Sequence, residues 1–255
     1  MKISIITATF NSEDYVLDAI DSYSKQNYVN KELIIVDGCS TDNTINLIQS
    51  SKYKIDKLII ESDDGIYSAL NKGINSATGE IIGFLHSDDY YPDNFVLSNV
   101  INAFLENDSK TAVYGNLDYI NNRNSADIFR SWKSKSFKSH FLNLGWMPPH
   151  PSLFVRTQWY RKICGFNEKY SISSDYDAIL KLFSDVDFAP LHLDITLMNM
   201  RTGGISNGSL SNIFKKSLED FLILRDNKFS FLNSLFILFM KNISKIGQIK
   251  ILKNN

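Results

Sequence analysis

Cysteine is scarce in this chain. Cys39 and Cys164 are the only two among 255 residues, too few for a disulfide framework and too far apart for a zinc knuckle. A reducing compartment is the expectation that follows. Proline (5) and glycine (12) are also few, which excludes collagen-like and Pro/Gly-rich disordered chains. No uncharged apolar run reaches the roughly 18 residues that a spanning helix needs, so none is expected. The first ten residues alternate apolar with polar side chains and lack a small-residue cleavage site, so they do not read as a secretory signal. A net charge of −1 carries no global call for nucleic acid. None of the four histidines lies four positions from another, so no helical zinc pair is expected. No Gly-x-Gly-x-x-Gly follows the first apolar run, which disfavours a dinucleotide oxidoreductase, and no P-loop occurs. The late pair Gly203-Gly204 starts no helix after a strand.

What is present is ordinary globular material, 44% apolar and 22% charged, enough for one large domain or two intimately joined ones. The charge is unevenly placed. From Lys215 to Asn255 there are eight Lys/Arg against three Asp/Glu, and this tail includes the apolar run Phe229–Met240. We therefore divide the chain into a continuous α/β domain over 1–214 and a basic, apolar helical segment over 215–255.

The first third alternates strand and helix patterns. Lys2–Ala8, Glu32–Asp37, Lys57–Glu61 and Glu80–Leu85 read as strands. Between them, Asn11 or Ser12 caps a helix with Glu13 and Asp14 in its first turn, Ser40 starts a second, and Ile66–Ala77 forms a third. Such alternation predicts βαβ units and a mainly parallel sheet, with ligands bound outside the carboxyl ends of the strands. Polar residues gather at those ends: Thr7-Ala8-Thr9-Phe10-Asn11, Asp37-Gly38-Cys39-Ser40, Asp63-Asp64-Gly65 and His86-Ser87-Asp88-Asp89. Later, Ala112–Trp132 reads as a strand and a hairpin around Asn121–Asn124. Trp146–Pro151 reads as a stiff extended loop, Ser152–Arg156 as strand, Ser174–Ser184 as helix and Phe188–Met200 as extended chain.

Each polar cluster has a bland reading beside a functional one. Asp88-Asp89 is a turn before a helix opening at Pro92, with Asp93 in its first turn, or it is a pair of hard oxygen ligands for a divalent cation. Asp37 makes a turn, or it accepts hydrogen bonds from a base or ribose. Lys72 sits on a solvated helix face, or it meets a phosphate. Asp175 belongs to an N-terminal cap, or it is a general base at the mouth of the crevice. His150 packs a Pro-stiffened loop, or it reaches the ligand.

Taken in order, five motifs carry a resemblance: Ile5-Ile-Thr-Ala-Thr-Phe-Asn11, Ile35-Val-Asp-Gly-Cys-Ser-Thr-Asp42, Asp64-Gly-Ile-Tyr-Ser-Ala-Leu-Asn-Lys-Gly73, Gly79-Glu-Ile-Ile-Gly-Phe-Leu-His-Ser-Asp-Asp89 and Ser174-Asp-Tyr-Asp177. The chain resembles the inverting family-2 glycosyltransferases of GT-A fold, especially bacterial enzymes that build O-antigen and exopolysaccharide repeat units. The resemblance implies an α/β fold with a mostly parallel sheet, a nucleotide-binding part over about 1–115 and an acceptor-binding part over about 116–214. It implies that Thr7, Thr9 and Asp37 hold the nucleoside, flanked by Ala8 and Asn11, with Asp64 and the Gly65 turn closing over it. Asn71 and Lys72 would border the sugar or diphosphate, beside Ser87 and His150. Asp88 would bind Mn²⁺ or Mg²⁺, and Asp175 would be the catalytic base. Gly203-Gly204-Ile205-Ser206 would be the loop near the closed site. His86 stands where the family's Asp-x-Asp motif has its first carboxylate, which leaves Asp88 as the sole direct protein carboxylate.

The implied activity is transfer of a hexose from a UDP-sugar, of glucose or galactose type, to a polyprenyl-diphosphate-linked sugar with formation of a β linkage. The tail would then lie at the inner face of the cell membrane, or pack on the domain or on a second subunit. The rival classes are a nucleotidyltransferase and a non-catalytic nucleotide-sugar-binding scaffold.

Overall fold

A computed structural model describes residues 1–121, 124–202 and 210–246. The chain alternates β1 (Ile3–Thr9), α1 (Val16–Ser24), β2 (Lys31–Asp37), α2 (Thr44–Ser50), β3 (Lys57–Ile60), α3 (Ile66–Ser76), β4 (Ile81–Phe84) and α4 (Val96–Glu106). There follow β5 (Ala112–Asn121), β6 (Asn124–Trp132), β7 (Leu153–Arg156), α5 (Thr157–Lys162), α6 (Ser174–Phe183), β8 (Pro190–Arg201), α7 (Leu210–Asp226) and α8 (Phe231–Ile246). The sheet runs β3-β2-β1-β4-β7-β5-β6, with β8 also paired to β5. Strands β1 to β4 pair in parallel, and β7 enters antiparallel between β4 and β5. The α/β class with a mostly parallel central sheet is as expected.

The reason lies in the strand composition. Burial on both faces calls for near-continuous apolar runs. In β1, Ile3 and Ile5 face a core built with α1 and α4, while Ile6 and Ala8 face the opposite core built with α3 and α6. In β2, Leu33 and Ile35 divide from Ile34 and Val36 in the same way. Helix α3 lies so close to β1 that a Cβ on Gly73 would sit 2.3 Å from Ile6 Cγ2, so glycine is required there. At the amino end of the sheet, the Glu32 carboxylate accepts hydrogen bonds from Lys2, Ser4 and Thr78 and joins β1, β2 and the turn before β4. Burial pushes its pKa up, but these donors outweigh burial and hold it at about 2.

Three helix starts differ from expectation. Helix α1 begins at Val16, so Glu13 and Asp14 precede it, and the acid in its first turn is Asp18. Glu13 instead accepts the Asn43 N–H at 2.8 Å. Helix α2 begins at Thr44, because Ser40 is bound back to Asp37 and cannot cap it. Helix α4 begins at Val96, and Asp93 accepts the Phe95 N–H at 2.7 Å in the turn that Pro92 precedes. At α2 and α4 a short polar side chain satisfies a nearby loop N–H, the local competition that disfavours continuing a helix, whereas Glu13 reaches across to the start of α2.

The boundary drawn at 214/215 falls inside α7. Ile223, Leu224 and Ile237 of the α7–α8 hairpin are buried in the core that also holds α3 and α6. A buried Lys241–Asp220 ion pair, 2.8 Å long, joins the two helices. The hairpin is thus packed on the α/β domain rather than standing apart. Its outer face remains apolar: Phe214, Leu218, Leu232, Phe236 and Phe239 are exposed.

Candidate active site

The carboxyl ends of β1 and β2, with the turns after β3 and β4, form one crevice rim. Asp37 ends β2 fully buried; its two oxygens accept the Ser40 N–H and hydroxyl, each at 2.7 Å. The Ser40 hydroxyl in turn accepts the Asn11 N–H, and Asn11 Oδ1 accepts the Thr41 N–H. The Ser12 and Ser87 hydroxyls meet at 2.9 Å, which links the exits of β1 and β4. Asn11 and Cys39 have φ of 49° and 64°, left-handed values that cost a non-glycine residue about 1 kcal/mol or more. Local strain of this kind at a rim of polar groups fits a preformed ligand site. Thr7, Ala8 and Thr9 are buried within β1, and the Thr9 carbonyl accepts the Gly38 N–H. Gly65 has φ of 115° and donates its N–H to Asp63 Oδ1, while Asp64 beside it is exposed. That backbone conformation admits glycine readily and other residues only at a cost.

After β4 the two adjacent acids part. Asp89 is fully buried, and burial, then the Asp88 charge, push its carboxyl well above the usual range against the pull of Arg201. Asp88 is only partly buried, and its carbonyl accepts the Arg201 guanidinium at 2.9 Å. Arg201, at the end of β8, also pairs with Asp18 at 2.7 Å and lies over the rings of Tyr15 and Tyr90. Asp88 is therefore positioned by a cation far away in sequence. Burial lowers the His86 pKa and favours the neutral imidazole, while the charges of Asp88 and Asp175 oppose it. No cluster of three His, Cys, Asp or Glu able to hold a metal occurs among the described residues. One partly exposed carboxylate, Asp88, beside an imidazole and a buried acid fits Mg²⁺ or Mn²⁺ only when other oxygens, such as those of a diphosphate, complete the shell.

Asp175 opens α6 in its first turn. Its Oδ1 accepts the Tyr176 N–H at 2.9 Å and the Tyr67 hydroxyl at 3.3 Å, and that hydroxyl also donates to the Ile172 carbonyl at 2.8 Å. Burial pushes the Asp175 pKa up, but Lys216, His150, Lys241 and the Tyr176 N–H together hold it below the ordinary value. Lys216 and Lys241 come from α7 and α8, so the hairpin shapes the electrostatics of this carboxylate. His150 stacks on Phe84, with ring centroids 5.1 Å apart. Burial lowers its pKa to about 4, with Asp175 opposing.

The structure brings Asn11, Asp37 and Ser87 to one hydrogen-bonded rim, and His86, whose ring lies 6.5 Å from that of His150, feels the charge of both Asp88 and Asp175. Asn71 and Lys72 lie on α3, and both side chains are engaged by other parts of the chain. Asn71 is engaged as a clamp: its side chain exchanges hydrogen bonds with the Phe166 backbone and donates to Glu168. Lys72 donates to the Ser62 carbonyl and pairs with Glu61 at 3.3 Å. A cavity of about 400 Å³ lies beside Asn71, between Ile163–Glu168 and Lys181, and is lined by none of Asp37, Asp88 and Asp175. Gly203-Gly204-Ile205-Ser206 lies outside the described residues. Sequence reasoning missed Tyr67, Arg201 and Glu219. Tyr67 sits in an apolar helix pattern and reads as core, and nothing local marks Arg201 or Glu219 as a partner of distant backbone.

The fold has well-matched counterparts. S. aureus TarS (residues 1–349), solved with UDP-GlcNAc, superposes with a TM-score of 0.71 at 18% identity, covering 99% of this chain and 74% of that one. A mannosyltransferase from Pyrobaculum calidifontis, solved with GDP-Man and Mn²⁺, gives 0.66 at 15% identity, over 96% of this chain and 73% of that one. These likenesses establish the GT-A arrangement. In sequence, a PGL/p-HBAD biosynthesis glycosyltransferase of Mycobacterium bovis is 28% identical over 84% of this chain and 83% of its own length. An uncharacterized glycosyltransferase of Rickettsia felis is 31% identical over 77% of this chain, which spans about a third (33%) of that relative. The family model for Glycosyl transferase family 2 matches residues 4–163, and with the strand-end crevice and these relatives it places the chain in that family.

Proposed function

We propose that the chain is an inverting hexosyltransferase. It moves a hexose from a UDP-sugar, of glucose or galactose type, to a polyprenyl-diphosphate-linked sugar and forms a β linkage in cell-surface polysaccharide synthesis. The observation that carries the reading is the polar rim at the strand exits: the Asn11–Ser40–Asp37 bonds and the Ser12–Ser87 contact join the ends of β1, β2 and β4, with the partly exposed Asp88 following Ser87. The rim of Asn11, Asp37 and Ser87 faces the nucleoside. Asp88, fixed by Arg201, addresses the diphosphate end. When bound with the donor, Mn²⁺ or Mg²⁺ neutralises charge that grows on the leaving diphosphate.

Asp175 is the base. Its Oδ1 is held by Tyr67 and Tyr176, and Oδ2 takes the proton of the acceptor hydroxyl as that oxygen attacks the anomeric carbon. The proton ends on Asp175, the glycosidic bond forms on the face opposite the leaving group, and the nucleoside diphosphate departs. Inversion follows from a single displacement. The test is product analysis: incubation with UDP-glucose or UDP-galactose, Mn²⁺ and a polyprenyl-diphosphate-sugar acceptor is expected to release UDP and give a β-anomeric proton by NMR. Release of pyrophosphate would assign a nucleotidyltransferase instead, and an α product would remove the single-displacement mechanism.

The hairpin supports a peripheral site at the inner membrane face. Among the described residues no helix is long and apolar enough to cross a membrane. In α8, exposed Leu232, Leu235, Phe236, Phe239 and Ile243 recur at helical spacing. Lys215, Lys216, Arg225 and Lys228 supply positive charge nearby in the chain. Such a face binds by apolar insertion and attraction to anionic lipid. The chain is expected to sediment with phosphatidylglycerol vesicles and far less with phosphatidylcholine vesicles. Leu232→Asp/Phe236→Asp is expected to stay in the supernatant; equal sedimentation of that variant would reject the assigned face.

A further inference from the structure

Helix α7 touches the segment that leads into Asp175 through one buried carboxylate. Glu219 is 7% exposed. Its Oε1 accepts the Ser171 N–H at 3.1 Å and the Ser171 hydroxyl at 3.0 Å. Its Oε2 accepts the Ile172 N–H at 2.9 Å and the Ser173 N–H at 3.0 Å. Three successive backbone N–H groups thus converge on one side chain, immediately before a helix whose own N-cap residue, Ser173, makes no side-chain cap bond. An anion collecting consecutive N–H groups fixes the local backbone, since each such charge-assisted bond is stronger than a neutral one.

Ile172 is held from two sides. Glu219 takes its N–H, and the Tyr67 hydroxyl donates to its carbonyl while also reaching Asp175. The next residues are secured by the same hairpin. The Lys241 ammonium, paired with Asp220, lies 3.3 Å from the centroid of the Tyr176 ring, and Asn227 donates to Asp177 at 2.8 Å. Asp175 sits between the Glu219 clamp and these contacts, yet touches neither Glu219 nor Asp220 itself.

We infer that Glu219 is a positioning residue for Asp175: it locks residues 171–173 so that the carboxylate at the start of α6 meets the acceptor hydroxyl in one orientation. The inference rests on the reading of Asp175 as the base. Misplacement of a reacting group by an ångström is enough to lose a large factor in rate without loss of binding. The clamp therefore belongs to the chemical step and not to the donor site.

The test uses the full chain in five forms: wild type, Glu219→Gln, Glu219→Asp, Asp175→Asn and the double variant Glu219→Gln/Asp175→Asn. Glutamine keeps the size, but its NH₂ group faces N–H donors, so the clamp opens. Amide hydrogen exchange of the 170–177 segment is expected to rise about tenfold or more in Glu219→Gln, while exchange in β1 to β4 stays as in wild type. Unchanged exchange in that segment would overturn the clamp, whether or not turnover is seen. UDP release from UDP-glucose and UDP-galactose with Mn²⁺, with water or the polyprenyl-linked acceptor as nucleophile, gives the second readout. For Glu219→Gln, kcat is expected to fall about tenfold or more with donor KM changed less than about twofold, and Glu219→Asp to recover part of the loss. On the Asp175→Asn background the Glu219→Gln substitution is expected to cost almost nothing further, because both act on one step. A full additional loss on that background would show that Glu219 acts independently of Asp175. Wild-type turnover in Asp175→Asn would reject the base itself, a result separate from the exchange measurement.

Discussion

Asp175→Asn is expected to lower turnover by about 10²–10⁴ while leaving donor binding near wild type. The asparagine keeps the size of the side chain and can still accept the Tyr176 N–H and Tyr67 hydroxyl at the carbonyl oxygen, so the start of α6 has no reason to shift. What it removes is the proton acceptor. The pH dependence gives a second check, and its sign is fixed by the environment. Burial raises the Asp175 pKa, but Lys216, His150 and Lys241 outweigh it, so the folded value lies below the usual carboxylate value. Asp175 is therefore ionised above that ordinary value and loses its charge only as pH falls further. Wild-type kcat is expected to show no limb from Asp175 between about pH 5 and 8. A rate that collapses on acidification through pH 6 would mean that another group is the base. Wild-type turnover in Asp175→Asn would mean the same.

Asp88→Ala is expected to abolish the metal-dependent part of nucleotide binding. A ligand that binds only the folded chain stabilises it by RT ln(1 + [L]/Kd), about 2.7 kcal/mol at a hundred times Kd. For a chain of this size that is a rise in melting temperature on the order of 5–10 °C. The wild type is expected to show this rise with UDP and Mn²⁺ together, less with UDP alone, and less with GDP or dTDP. Asp88→Ala is expected to retain only the metal-free increment, since the proposed nucleoside rim of Asp37, Asn11 and Ser87 is left untouched. The substitution leaves the fold intact, because Arg201 binds the Asp88 carbonyl and not its side chain. Asp89→Ala makes the contrast. Asp89 is buried, with its carboxyl pushed above the usual range by burial and the Asp88 charge, so its loss is expected to lower stability through packing while the Mn²⁺-dependent increment persists. An Mn²⁺ effect undiminished in Asp88→Ala would remove Asp88 as the ligand.

Much of this molecule was legible before any coordinates. The parallel half of the sheet was readable because strands buried on both faces must be apolar at every position, as β1 and β2 are. The rim residues Asn11, Asp37, Ser87 and Asp88 were readable because parallel strands deliver their polar exits to one edge. Local competition hid the helix starts: Ser40 is a good cap by type, but Asp37 three residues away captures both its donors. Asn71 and Lys72 carried a polar signal inside an apolar helix; in the structure Asn71 binds the 166–168 loop and Lys72 binds the turn after β3, partners that no short window of sequence reveals.

The order of strands and helices, their two-sided burial and the polar character of the strand ends are thus properties of the chain itself, set by periodicity and composition over short windows. The tertiary structure alone decided which of two adjacent acids is accessible, because Asp88 and Asp89 differ only in what β4 and Arg201 place around them. It alone decided that the α7–α8 hairpin packs on the core of the α/β domain, with Glu219, Lys216 and Lys241 acting on residues 171–176. Those effects depend on distance through space, desolvation and the direction of hydrogen bonds, and none of these is encoded in the spacing of residues along the chain.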